Sequence, residues 1–261
     1  MSEEPAWFFF HIFAVVAWLI WLMRITMVHT LRPSLGLRWL LVLTPLVCAL
    51  ILWMILRRWA SHDVVDSPKY LYFYTLFGAA WVGAWRIIIP LGGLHVDLDA
   101  IERRNAGAAI GIAGALVGLT LAFAGGNIGD GPGYEVVFFS ALLSTATFFL
   151  LWQVMEFVGH FAESITIERE TGAGLRLAGA LVGVGAILGY GVAGDWVGFR
   201  KTIDEFYPHA GGAAALALAC GGIEEALHMG RGRVGTGASL LLAVVYTSAA
   251  LGYVAWRGWV S

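Results

Sequence analysis

Charge is scarce in this chain. Asp, Glu, Lys and Arg make up 13% of its 261 residues and hydrophobic types 59%. A soluble domain carries about a quarter charged and about half apolar residues. No polar stretch is long enough for a separate soluble domain, because the connections between apolar runs are short. The net charge of −2, with no basic arm and no zinc-finger spacing, gives no sign of a nucleic-acid partner. There are two cysteines, Cys48 and Cys220, both inside apolar runs, where they read as buried thiols. Catalytic signatures are missing too. There is no Gly-x-Ser-x-Gly, no His-Glu-x-x-His, no Walker sequence and no Cys-x-x-Cys-His for covalent haem. Gly230 to Gly235 matches Gly-x-Gly-x-x-Gly, but the dinucleotide fingerprint needs a preceding strand and a βαβ unit. The acidic start, Met1 to Pro5, lacks the basic region of a cleavable signal, so the first apolar run is expected to stay as a helix.

What the chain has is apolar runs of about 20 residues, enough to cross a bilayer. Eight candidates lie at 7–29, 36–56, 70–92, 105–126, 134–158, 172–193, 208–229 and 237–257. The expected fold class is all-α, a polytopic transmembrane bundle of about eight helices. Six residues, Ala-Gly-Ala-Leu-Val-Gly, occur at Ala113 to Gly118 and again at Ala178 to Gly183, a shift of 65. Gly107-Ala108, Gly172-Ala173 and Gly237-Ala238 keep the same shift. A fixed period predicts repeated units, here helix pairs. We divide the chain into an N-terminal helix pair, 1–69, and a repeat-containing domain, 70–261.

Glycine spacing predicts how these helices meet. Gly107, Gly111, Gly114 and Gly118 share one helix face, and Gly172, Gly179, Gly183 and Gly237 occupy related positions. Small residues at such spacing let helix backbones approach closely, since lipid supplies no hydrophobic drive for association. Arg176 replaces Gly111 at the same repeat position and is expected to snorkel to the membrane surface. Topology follows from Lys/Arg bias. With the basic-free turn 125–134 outside, ten of the 16 basic residues fall in inner loops. Both termini are then expected outside the cytoplasm.

The run Glu102-Arg103-Arg104-Asn105-Ala106-Gly107-Ala108-Ala109, followed by Gly114 and Gly118, resembles the domain-of-unknown-function-350 family of bacterial inner-membrane proteins, the YjfL type. Ile167 to Gly183 resembles that family's second copy, with Glu170-Thr171 where Asn-Thr is usual. The resemblance covers about 70–191 and extends weakly to 259. It implies a multi-pass protein of the bacterial inner membrane, in a family found among envelope-stress genes, and carries over no catalytic residue.

Ionisable groups recur near the inner ends of the odd-numbered spans: Arg24, Arg86, Glu156, Glu224 and Glu225. Charge inside a span is costly unless paired or wet. One expectation is mutual neutralisation, Arg24 and Arg86 against Glu156 and Glu224; the other is a vestibule that binds a cation. Glu156 with His160, and Glu224 with His228, are spaced four apart and place a carboxylate and an imidazole on one helix face. Such pairs suit Zn, Mn or Fe. No cofactor is expected, with a metal ion or haem as the alternative. The functional expectation is a non-enzymatic membrane protein, an oligomeric small-cation channel or transporter. The alternatives are a structural or signalling subunit of a membrane complex and a metal- or haem-binding electron carrier. The lipid bilayer is the expected surrounding, with a homo-oligomer or larger complex as the assembly.

Overall fold

A computed structural model describes residues 4–27, 35–85, 87–230 and 234–260. The described residues form helices with no strand among them. The long ones are α1 (Glu4–Met27), α2 (Leu35–Trp59), α4 (Pro68–Trp85), α5 (Ala106–Gly125), α6 (Tyr134–Gly159), α8 (Thr171–Gly191), α9 (Phe199–Met229) and α10 (Thr236–Val260). Two short helices, α3 (His62–Val65) and α7 (Phe161–Thr166), sit in connections, as does a π-helical turn, Val96–Glu102. Among the described residues, seven helices are long and apolar enough to cross a membrane, and the chain is a multi-pass integral membrane protein.

The eighth candidate, 70–92, differs from expectation. Its helix, α4, has 18 residues and is not apolar enough to join the seven. Pro68, Lys69 and three tyrosines lower its hydropathy, and a 3-10 turn containing Pro90 follows it. α4 nevertheless packs lengthwise on α1 and α2. The seventh span also starts earlier than expected. α9 begins at Phe199 and continues through Pro208 for 31 residues, about 46 Å at 1.5 Å per residue. Its first turns carry exposed i,i+4 pairs, Arg200 with Asp204 and Lys201 with Glu205. Such pairs support a helix that runs past the apolar zone.

α5 and α8 hold the centre and share the most extensive contact in the molecule. α2 packs on the far side of α5, α10 on the far side of α8, and α6 and α9 close against them. The core is correspondingly small-residue: Ala108, Ala109, Ala173 and Ala180 are all fully buried. Glycine makes the approach between helices possible. A Cβ on Gly114 would collide with the backbone of Ala178, and one on Gly118 with that of Leu181. Gly107 would meet the Glu170 carbonyl at 2.8 Å. The same glycines on α8 face α10: Gly179 would meet the Ala243 Cα at 2.5 Å and Gly172 the Ser239 Oγ at 2.5 Å. Gly183 is looser, with its nearest neighbour at 3.1 Å. Gly111 faces side chains, Leu94 and Leu177, rather than backbone. Gly237 makes no packing contact, for a Cβ there meets nothing within 4 Å. It lies on the last helix of the row, with no further helix beyond it.

Geometry recurs 65 residues apart, the separation of the paired Asp130 and Asp195. Arg104 and Arg169 both take left-handed backbone, with φ of 52° and 59°. One residue later, Asn105 N–H donates to the Asp99 carbonyl at 3.0 Å and Glu170 N–H to that of Ser164 at 2.9 Å. The two side chains then diverge. Asn105 accepts from Ala108 N–H at 3.2 Å and caps α5, whereas Glu170 makes no cap to α8.

Candidate cation-binding site

Glu170 leaves its helix uncapped because its carboxylate turns toward Arg176. Arg176 lies in the second turn of α8 and is 1% exposed, so it does not snorkel. Its Nε donates to Glu224 Oε2 at 2.6 Å and its Nη2 to Glu224 Oε1 at 2.7 Å. This is the two-pronged geometry in which guanidinium and carboxylate bind most strongly. Nη1 donates to Ser239 Oγ at 2.6 Å, and Nη2 also to Glu170 Oε1 at 3.1 Å. One side chain therefore ties together α8, α9 and α10. Gly172 leaves the room it needs, since a Cβ there would sit 3.0 Å from both Arg176 Nη1 and Glu170 Oε1.

The expected charge cluster is only partly assembled. Glu224, 2% exposed, takes Arg176 as its partner rather than Arg24. Arg24, at the end of α1, pairs instead with Asp97 of the π-helical turn, and both are half exposed. Glu156 accepts from Ala162 N–H with both oxygens, at 3.1 and 2.9 Å, and so caps α7. Glu225 is half-buried, and its Oε2 has no hydrogen-bond partner. Arg86 lies outside the described residues. Among the described residues, matching depth along a helix did not bring Arg24, Glu156 and Glu224 together, because each turns toward a different neighbour.

Of the two Glu/His pairs, only Glu156 with His160 loses its shared helix face. His160 ends α6 with φ of 51°, which breaks the helix face it was expected to share with Glu156, and it is exposed. His228 stays on α9 one turn from Glu224. Among the described residues, no three His, Cys, Asp or Glu side chains converge to hold a metal ion.

A cavity of about 950 Å³ opens beside the Arg176 cluster. Ser164, Glu168, Glu170, Arg176, Glu224 and His228 line it. Among the described residues, three carboxylates thus face one guanidinium, and Arg176 pairs with both Glu224 and Glu170. Glu170 shares that guanidinium with Glu224, and the exposed Glu168 adds a further negative charge beside them. Arg231 and Arg233, in the α9–α10 connection, lie outside the described residues. Sequence reasoning found Glu224 and His228 and missed Arg176, Glu170 and Ser239. The available signal was the pair of departures from the repeat, Arg176 for Gly111 and Glu170 for Asn105. No protein-family model, no curated protein and no solved structure matches the chain. The resemblance to the YjfL type therefore rests on its quoted residues alone.

Proposed function

We propose that this is a non-enzymatic membrane protein, a channel or transporter, that takes up a small cation at the Glu170 end of the bundle. The observation that supports the reading is the excess of carboxylate over guanidinium among the described residues around the 950 Å³ cavity. A cleft with an excess of one sign of charge concentrates the opposite ion. The Glu168→Gln, Glu170→Gln double variant removes that excess and leaves the Arg176–Glu224 pair in place. In liposomes carrying the purified protein, potassium or sodium flux should fall at least tenfold. Undiminished flux in the variant, or none in the wild type, defeats the proposal. The second reading, a structural subunit, draws on the way Arg176 joins three helices; it predicts intact assembly and no flux.

The orientation and setting belong to the same proposal. We place the protein in a bacterial inner membrane as a homo-oligomer or subunit of a complex, built from repeated helix pairs, with the cavity facing the cytoplasm. A reporter inserted at Asp130, or fused after Ser261, should then lie outside the cytoplasm. A cytoplasmic signal from the Asp130 insertion reverses the orientation.

A further inference from the structure

The opposite end of the bundle holds a second, smaller cavity, of about 50 Å³. It lies where the loop after α5 meets the loop after α8. Gly194 N–H donates to the Ile128 carbonyl at 3.0 Å, and Trp196 N–H to that of Asp130 at 2.7 Å. Asp130 N–H in turn donates to Asp195 Oδ1 at 2.8 Å. The two loops thus run side by side in register. Gly129, with φ of 98°, permits this, because a Cβ there would collide with the Gly194 backbone.

Among the described residues, every charged side chain lining this cavity is acidic: Asp130, Asp195 and Glu205, with no Lys, Arg or His. Lys201 lies near, with its Nζ 3.5 Å from Glu205 Oε1 on the exposed face of α9. The decisive residue is Asn127, which lines the cavity and is 6% exposed. Its Nδ2 donates to the Phe123 carbonyl at 3.2 Å, which fixes the orientation of the amide. Oδ1 is left buried with no hydrogen-bond partner. A buried acceptor without a partner is costly, and native proteins nearly always supply one.

We propose that this cavity binds a hard divalent cation, calcium in preference to magnesium. Asn127 Oδ1, the carboxylates of Asp195 and Glu205, and the hydroxyls and main-chain carbonyls around them are the oxygen donors. The volume admits an ion with bound water. No three carboxylates converge among the described residues, so neutral oxygens complete the shell. Calcium accepts carboxylate, amide and main-chain oxygen in irregular geometry, whereas magnesium demands near-ideal octahedral coordination and keeps its waters. Bound there, the ion joins the α5 and α8 loops to the first turns of α9.

Equilibrium dialysis of the full chain in detergent against radiolabelled calcium, after treatment with a chelator, tests this. One saturable calcium per chain is expected. Glu205→Gln is the deciding variant, because Glu205 is exposed on a helix and its loss does not threaten folding; it should weaken binding at least tenfold. Asp195→Asn should do the same. Glu168→Gln with Glu170→Gln, at the far end, should leave calcium binding unchanged, which separates this site from the cavity beside Arg176. Absence of saturable binding, or wild-type affinity in Glu205→Gln, overturns the proposal. Equal displacement by magnesium or sodium overturns the assignment to calcium.

Discussion

Arg176→Met should destabilise the protein by about 3–5 kcal/mol, the usual cost of stranding one partner of a buried ion pair. Glu224 would keep its charge at 2% exposure with no cation to meet it. Ser239 and Glu170 would lose their donor as well. Glu224→Leu alone should be similarly damaging, since it leaves a buried guanidinium with Glu170 and Ser239 alone. The double variant Arg176→Met, Glu224→Leu is the informative one. Apolar replacement of a whole buried pair is often near neutral. The double variant should therefore be much more stable than the sum of the singles. Thermal unfolding of the four proteins in one detergent gives the coupling. Additive losses would mean that the two side chains do not act as a pair.

Gly185→Leu should prevent folding. A Cβ at this position already collides with the main chain of Gly118. The obstacle is main chain on main chain, so no rotamer change relieves it, and α5 and α8 must separate. Even Gly185→Ala should cost about 1–3 kcal/mol as an overpacked site. Gly114→Leu and Gly179→Leu belong to the same class, facing Ala178 and Ala243. The control is Gly252→Ala on α10, where a Cβ meets nothing within 4 Å. It should be neutral or slightly stabilising, because alanine is the better helix former. Yield and thermal stability of the purified variants give the ranking. Equal behaviour of Gly185→Ala and Gly252→Ala would refute close packing at the α5–α8 seam.

The spans were legible because apolar runs of the right length have few other uses. Where polarity and helix formation part company, the boundaries were missed. Residues 199–207 form a charged continuation of α9, and Pro68–Trp85 forms a helix too polar for the apolar class. The glycine seam was legible from spacing, which fixes a face. Its counterpart was not, so Gly237 was grouped with glycines that have a neighbour. The charged site shows the same limit more sharply. Sequence places Arg24, Glu156 and Glu224 at matching depth, but not their bearing around each helix. Arg176 stands close enough to a helix start to reach the surface. It stays inside because Glu224 on α9, Ser239 on α10 and the space at Gly172 meet it there, and all three are facts of tertiary structure.

The row α2, α5, α8, α10 has the same order in space as in the chain. Each of these helices meets the one before it, with one other long helix between them in the chain: α4, α6 and α9 in turn. A bundle with this order can be laid down as synthesis proceeds. When α8 leaves the ribosome its docking face on α5 already exists, and α10 finds its own on α8. Arg176 enters first, with α8, and its partner Glu224 follows with α9, so the guanidinium waits while that span is made. Glu170, six residues upstream, is there from the start and can hold that charge through the interval. Chain growth, rather than a search among finished helices, then sets the sequence of contacts.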